Sequence, residues 1–271
     1  MENKGWEFTV GYNNRTGDFT YRVNANVGSF LDKVTYLPAN VVRAYPGNVE
    51  KTIIGHSLSA QFGYVTDGIF QNQQEVDKAA AQPGKGVGRI RYKDLNNDGV
   101  INVLDQDWLG NALPDFEYGF SSYLSYKQFK FSFFLQGVQG SKVYNAFKNQ
   151  AAFVGAFAGQ NNTTMVLQAW TPQNPSATIP AVSNFDANNE VRTSSYQIEN
   201  ASYLKLRNIQ LSYSFKEQWL RKLKLSRLEM YISGSDLFTI KSKQFTSPDP
   251  ENPGSFYPIA KSFTIGLNAS F

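Results

Sequence analysis

The sequence predicts an all-β fold, an antiparallel transmembrane β-barrel segment with long extracellular loops. Apolar and polar residues alternate with a period of two in about seven stretches, and 15% of the residues are aromatic. Such alternation gives a strand one apolar and one polar face, and Tyr and Phe favour strands. The connections between the stretches are alternately short and long, which is typical of outer-membrane barrels.

Seven strands follow from this alternation, at approximately residues 5–13, 18–30, 115–126, 129–139, 202–215, 225–236 and 261–271. The short connections are 14–17, 127–128 and 216–224, and the long ones are 31–114, 140–201 and 237–261. If the short turns are periplasmic, 31–114 is an extracellular excursion. An apparent strand at 56–64 must then lie within that excursion, because one extra crossing would invert every later turn.

Composition excludes several classes of protein. The net charge is +4, from 26 basic and 22 acidic residues, and the only tight basic cluster is Arg221, Lys222 and Lys224, which is too little to indicate nucleic acid. The chain has no cysteine, and no apolar run reaches the roughly 18 residues of a membrane helix. The first residues do not form a signal peptide. A barrel strand, by contrast, needs only about ten alternating residues to cross a membrane.

Residues 94–105 have the spacing of a calcium-binding loop. Oxygen-bearing side chains occupy loop positions 1, 3, 5, 9 and 12, the backbone carbonyl at position 7 completes the set, and Gly99 at position 6 permits the sharp turn. The predicted ligands of a structural calcium ion are Asp94, Asn96, Asp98, Val100, Asn102 and Asp105. A hydrated turn without metal is the alternative. We expect the ion to brace an excursion that has little core of its own.

Catalytic signals are weak, and the sequence predicts no enzyme. Asp115 and Glu117 have the strand spacing of a carboxylate pair, but a polar row facing a barrel lumen explains them better. His56 is the only histidine, so a histidine-rich metal site is excluded. Trp108, Trp170 and Phe256 could stack on sugar rings, although loop packing or an interfacial aromatic belt is the favoured role.

Several motifs together resemble one family. The run Arg-Tyr-Lys-Asp-Leu-Asn-Asn-Asp-Gly-Val-Ile-Asn at 91–102 closely resembles the C-terminal part of SusC-like TonB-dependent receptors, and further similar motifs follow in the same order. They lie at 64–71, 134–140, 170–175, 199–209, 249–251 and 266–271. Asp236 stands where the family usually has Asn.

The resemblance implies a function as well as a fold. It implies a nutrient importer in the outer membrane of a Gram-negative, Bacteroidetes-type bacterium, energised by the TonB complex, which takes up oligosaccharides (glycans) or peptides beneath a SusD-like lipoprotein. Residues 1–271 would form the C-terminal part of a larger barrel, without its plug domain, so we expect a fragment or a truncated reading frame.

The last strand resembles the signal that the barrel-assembly machinery recognises, carried by Phe263, Ile265, Leu267, Ala269 and Phe271. Outer-membrane lipid would face the same residues. The rival hypothesis is a soluble, calcium-dependent carbohydrate-binding or adhesion module with a β-sandwich fold. It would use the same loop and the same aromatic residues.

Overall fold

One large antiparallel sheet dominates the molecule. The computed structural model describes residues 1–42, 51–153, 159, 161–255 and 257–271. The strands are β1 (Glu2–Thr16), β2 (Phe19–Lys33), β3 (Ala60–Tyr64), β4 (Thr66–Ile69), β5 (Ile90–Tyr92), β6 (Gln106–Asn111), β7 (Phe116–Tyr126), β8 (Phe129–Gln139), β9 (Lys142–Tyr144), β10 (Ile198–Asn200), β11 (Tyr203–Ser214), β12 (Arg227–Ser235), β13 (Thr239–Lys241) and β14 (Ser262–Ser270). The order in the large sheet is β1-β2-β7-β8-β11-β12-β14, with β13 beside β11.

The helices are short. They are α1 (Ala39–Val42), α2 (Gln73–Lys78), α3 (Ala146–Ala152) and α4 (Glu217–Leu223), with 3-10 turns at Val103–Asp105 and Thr164–Gln168. Within the described ranges, no helix is long and apolar enough to cross a membrane.

The seven strands predicted from the alternation are confirmed as β1, β2, β7, β8, β11, β12 and β14. The apparent strand at 56–64 is β3, which pairs with β6 inside the first long connection and does not join the large sheet. The third short connection contains α4, which the sequence analysis did not anticipate. Strands β1 and β14 form the two edges of the sheet.

Strand register gives the sheet one apolar and one polar face. A row of apolar side chains crosses six strands, formed by Tyr21, Leu124, Phe131, Leu211, Ile232 and Ile265. The adjacent row belongs to the opposite face and is mostly polar, formed by Arg22, Tyr123, Ser132, Gln210, Ser233 and Thr264. Because successive side chains of a strand point to opposite faces, the alternation in the sequence becomes two continuous surfaces.

The apolar face is largely uncovered. Phe8 is 67% exposed, Ile232 50% and Ile265 77%, and many other large apolar side chains of these strands are also exposed. A β-sandwich would bury such a face beneath a second sheet. Among the described strands, the remaining sheets have only two strands each. The sandwich alternative is therefore not the fold observed.

Most of the hydrophobic core lies in the long connections. We call residues 34–42 with 51–115, 140–202 and 236–261, as far as they are described, the cap. One cluster of the cap consists of Ile90, Tyr92, Ile101 and Phe153, with Tyr64 and Val191 packed against it. Phe70 is completely buried, and Ile53 and Ile90 are nearly so. The expectation that the excursion has little core of its own is therefore wrong, because its own residues Ile53, Phe70 and Ile90 are buried.

Candidate functional site

The loop 94–105 is held in a closed shape by its own polar groups. Gly99 has φ +82° and Asn97 has φ +60°, so the chain turns sharply at these positions. The Asp94 carboxylate accepts hydrogen bonds from the backbone N–H groups of Asn97 (2.7 Å) and Gly99 (2.8 Å). This is the turn that the glycine at loop position 6 predicted.

Asp105 closes the other end of the loop. Its side chain is completely buried, and its two oxygens accept from the N–H groups of Leu95 and Asn102, both at 2.8 Å. Asn102 in turn accepts from the N–H of Leu104 and caps the 3-10 turn. A carboxylate has about four acceptor sites, so each oxygen of Asp105 retains one.

The exposed side of the loop is an amide and carboxylate network. The Asp98 carboxylate accepts from the side-chain amides of Asn96 (2.9 Å) and Asn102 (3.3 Å) and from the N–H of Val100 (2.8 Å). The bonds from Asn96 and Val100 lower the pKa of Asp98. In the described residues, no group of three or more His, Cys, Asp or Glu side chains is gathered in a geometry that could hold a metal ion. The six predicted ligands lie in one loop, but the carboxylates of Asp94, Asp98 and Asp105 do not point towards a common metal position.

A second cluster of charges, which sequence reasoning missed, joins the cap to the large sheet. Lys205 of β11 is almost completely buried, and its ammonium group contacts Asp249 (3.1 Å) and Glu251 (2.5 Å). Arg207, two residues further along β11, pairs with Glu251 and with Asp236 (3.1 Å). Two features of the sequence could have indicated this cluster. Lys205 and Arg207 are charged residues at i and i+2 of one strand, and the Asp-Pro-Glu motif at 249–251 does not fit the alternation of apolar and polar residues.

Glu251 is the centre of this cluster. Burial raises the pKa of its carboxyl, but hydrogen bonds from Arg207, Lys205 and Tyr203 outweigh that effect and lower the pKa to about 2. The carboxylate is therefore charged at any ordinary pH. It fixes residues 249–251 of the third long connection to the polar face of β11.

Two further buried carboxylates, each in an ion pair, tie the long connections to one another. Glu190 pairs with Arg89 (2.9 Å) and accepts from the N–H of Ile90 (2.8 Å), which joins the second connection to the first. Burial raises the pKa of Glu190, and Arg89 opposes that shift. Glu199 pairs with Lys148 (3.1 Å) and accepts from the N–H of Thr246 (2.8 Å), which joins the second connection to the third. The cap is thus one cross-braced unit.

A cleft lined by both polar and apolar residues opens within the cap. Its volume is about 410 Å³, and its lining includes Thr66, Lys148, Ser195, Tyr196, Glu199 and Gln244. Lys148 lies 3.7 Å from the centre of the Tyr196 ring. Burial lowers the pKa of Lys148, and Glu199 opposes that shift. A cleft of this size with a few fixed polar groups has the form of a small-ligand site.

The aromatic candidates of the cap are packing residues. The His56 ring stacks on Trp108 with 4.0 Å between ring centres, and Phe62 contacts Trp108 edge-on. Trp170 is 7% exposed and donates its indole N–H to Gln71 (2.8 Å). The favoured role in loop packing is therefore observed for these two tryptophans, whereas Phe256 lies outside the described residues.

The acidic pair Asp115 and Glu117 lies at the start of β7. Glu117 pairs with Gly28 of β2 in the sheet, and Asp115 precedes the strand and bonds through its N–H to the carbonyl of Gln139. Glu117 lines a hollow of about 700 Å³ between β1, β2 and the start of β7. Glu117 lies on the same face of β7 as Gly119, two residues further on. Gly119 pairs with Asn26 of the polar face, so Glu117 belongs to the polar face as well.

The last strand has its apolar side chains on the exposed face. The exposed fraction is 73% for Phe263, 77% for Ile265, 61% for Leu267 and 97% for Phe271. Ala269 pairs with Leu228 of β12 in the same register. These five residues therefore extend the apolar surface of the sheet to its edge.

The fold and the sequence together define a class of protein. Over its whole length the chain is homologous to TonB-dependent receptors, and the resemblance predicted from the motifs is confirmed. TonB-dependent receptor P26 of Formosa agariphila is 29% identical over 292 residues, and receptor P3 of the same organism is 29% identical over 297. TonB-dependent receptor SusC of Bacteroides thetaiotaomicron is 26% identical over 279 residues. No family model matches the chain.

Solved structures show the same fold. The chain superposes on the RagAB peptide transporter with a TM-score of 0.75 over 99% of its length, at 18% identity. The open-open state of the RagAB peptide importer gives a TM-score of 0.70. In each comparison the chain spans only part of its relative, 29% of P26, 26% of SusC and 29% of the RagAB chain. The fold class predicted from the alternation, an antiparallel barrel wall with long loops at one end, is confirmed.

Proposed function

We propose that this chain forms a wall and the extracellular cap of an outer-membrane nutrient importer. One observation carries the proposal: an uncovered apolar face continues in register across seven antiparallel strands, and a polar face lies behind it. Water does not stabilise so large an apolar surface, whereas lipid does. The homology to receptors named TonB-dependent supports the same assignment.

Transport, and not chemistry, is the role of the chain in this proposal. The TonB complex supplies the energy, and a SusD-like lipoprotein covers the cap from outside. The imported substrate is an oligosaccharide or a peptide. Homology to the TonB-dependent receptor SusC supports the TonB complex and the SusD-like partner, and the likeness to the RagAB peptide transporter supports a peptide substrate. The barrel-assembly machinery recognises β14 through Phe263, Ile265, Leu267, Ala269 and Phe271.

Side-specific labelling tests the orientation, and the absence of cysteine makes the experiment clean. Asn184→Cys lies in the second long connection, and Asp18→Cys lies in the first short turn; both positions are exposed. A membrane-impermeant maleimide added to intact cells should label Asn184→Cys alone, and both after the outer membrane is permeabilised. Equal labelling of both variants in intact cells would exclude a membrane-spanning wall.

Substrate uptake tests the transport proposal directly. Cells that produce the protein should accumulate a labelled oligosaccharide or peptide, and cells with the gene deleted should not. Dissipation of the proton gradient should abolish accumulation but leave surface binding unchanged. If neither class of substrate depends on the gene, the importer proposal is wrong.

We also propose that the loop 94–105 binds a structural calcium ion. Asp94, Asn96, Asp98, Asn102 and Asp105 would supply side-chain oxygens, and Val100 its carbonyl, at the spacing that calcium requires. The turn at Gly99 and the acceptor sites that remain on Asp105 support the proposal. The bound ion would supply a cross-link within the first long connection.

Calorimetry separates calcium binding from a hydrated turn. Titration with calcium should give binding heat for the wild type and for Asp77→Ala, a control outside the loop. Asp98→Ala should abolish that heat. If calcium heat is absent from the wild type or persists in Asp98→Ala, the ligand assignment is wrong.

A further inference from the structure

The three short connections lie side by side at one end of the strands of the large sheet. We call residues 14–18, 127–128 and 215–226 the short-turn rim. The N–H of Lys127 donates to the carbonyl of Asp18 (3.4 Å), and the N–H of Ser214 donates to that of Gln128 (2.9 Å). The rim is therefore a continuous strip at the end of the sheet opposite the cap.

The short-turn rim is strongly basic. Its charged residues are Arg15, Asp18, Lys127, Lys216, Glu217, Arg221, Lys222 and Lys224. Basic residues thus outnumber acidic ones six to two, whereas the whole chain has 26 and 22. The pair Arg221–Glu217 (3.5 Å) involves side chains that are 83% and 81% exposed, so it neutralises little of the rim. The basic cluster noticed in the sequence, which transport does not require, belongs to this strip.

Aromatic side chains line the rim on the apolar face. Phe19, Tyr126, Phe129 and Tyr213 are neighbours in register at the ends of their strands. Trp219 of α4 is 62% exposed, and the ammonium group of Lys222 lies 5.9 Å from the centre of its ring. Trp and Tyr are enriched where membrane meets water, and basic residues beside them contact headgroups.

We propose that α4 and the short-turn rim bind the headgroups of anionic phospholipids through their phosphates. The inference rests on the proposed function, since it requires the apolar face to lie in a membrane. Charge complementarity then selects the occupant: the aromatic row places the rim at headgroup level, where phosphate is the fixed anion nearest to Arg221, Lys222 and Lys224. Trp219 inserts beside them and holds α4 flat on the surface.

Vesicle binding by the full chain tests the inference. Partition is measured into vesicles of phosphatidylcholine alone and of phosphatidylcholine with phosphatidylglycerol. The rim variant replaces three residues, Arg221→Gln, Lys222→Gln and Lys224→Gln. The matched control replaces three exposed lysines of the cap, Lys78→Gln, Lys93→Gln and Lys243→Gln. A second rim variant, Lys127→Gln with Lys216→Gln, leaves α4 itself unchanged.

Each cation near an anionic surface strengthens binding about fivefold. The first rim variant removes three cations and should therefore bind anionic vesicles about a hundredfold more weakly than the wild type. The second removes two and should bind them about twentyfold more weakly. The control should bind as the wild type does. Brominated lipid should quench the fluorescence of the wild type more than that of Trp219→Phe.

Other outcomes overturn the inference in distinguishable ways. If the wild type binds neutral and anionic vesicles equally, or if both rim variants match the control, headgroup binding is wrong while the membrane wall stands. Competition by millimolar inorganic phosphate would indicate a small-anion site and would equally overturn it. If the chain binds neither kind of vesicle, the inference and the proposed function both fail.

Discussion

A lysine at the centre of β12 should be costly on one face of the sheet and harmless on the other. Ile232 is 50% exposed and stands between Leu211 and Ile265 on the apolar face. Its neighbour Ser233 belongs to the opposite face. If the apolar face contacts lipid, Ile232→Lys should reduce the free energy of unfolding by about 2–4 kcal/mol, the cost of a lysine near the middle of the bilayer. Ser233→Lys should change it by about 0.5 kcal/mol or less.

Urea titration of the membrane-inserted protein, followed by tryptophan fluorescence, measures both variants in the same lipid. The two positions are adjacent in sequence, so strand propensity and depth in the membrane are nearly matched. Lysine is introduced at both, and the difference therefore reports the environment of each face. Equal losses of stability, or a larger loss for Ser233→Lys, would refute the assignment of the apolar face to lipid.

Three further predictions concern the cap. Lys205→Met leaves the buried carboxylate of Asp249 without its lysine partner, so the unfolding free energy should fall by about 3–5 kcal/mol. Lys243→Met at an exposed position should be neutral in the same urea titration. The pKa of Glu251 is about 2 in the folded protein against an ordinary value of 4.5, so its stabilisation should be complete above about pH 4.5 and disappear as the pH falls towards 2. Glu251→Gln should flatten that part of the stability profile, and an unchanged profile would contradict the pairing. Asp105→Ala removes two hydrogen bonds from backbone N–H groups of the loop, so protease cleavage within 94–105 should accelerate even when calcium is chelated. If cleavage accelerates only in the presence of calcium, the metal alone, and not these hydrogen bonds, keeps the loop ordered.

The large sheet could be predicted from the sequence because its rule is local. The alternation of Tyr21, Val23 and Ala25 with polar neighbours is a property of adjacent residues, and it fixes both the strand and its two faces. The alternation of short and long connections then indicated the strand order, in which each strand of the large sheet pairs with the next one of that sheet along the chain, whether a short turn or a long excursion joins them. The end of β11 is the informative exception. Alternation continues to Phe215, but α4 follows, and it ends where Lys224 adopts φ +55° and Leu225 donates its N–H to the carbonyl of Leu220.

The cap could not be predicted in the same way. Ile90 and Phe153 pack together across a long separation in sequence, and no periodic signal connects them. The burial of Lys205 was even harder to predict, because the sequence around a lysine does not show whether its side chain is buried. Its burial depends on ion pairs with Asp249 and Glu251, which are distant in sequence. For the loop 94–105, spacing predicted the turn at Gly99 and the inward position of Asp94, whereas the direction of the Asp98 carboxylate depends on amide partners that spacing does not specify.

The shared core of the cap restricts how such surface loops can be exchanged. Ile90 and Ile101 of the first connection pack with Phe153 of the second. Glu190 of the second connection pairs with Arg89 of the first, and Glu199 accepts a hydrogen bond from the N–H of Thr246 in the third. A loop grafted from another receptor in place of 31–114 alone would leave Phe153 and Glu190 facing unmatched partners. New binding specificity in this scaffold therefore arises from changing the connections as a set, or from substituting side chains at the surface of the cap while its interior is kept.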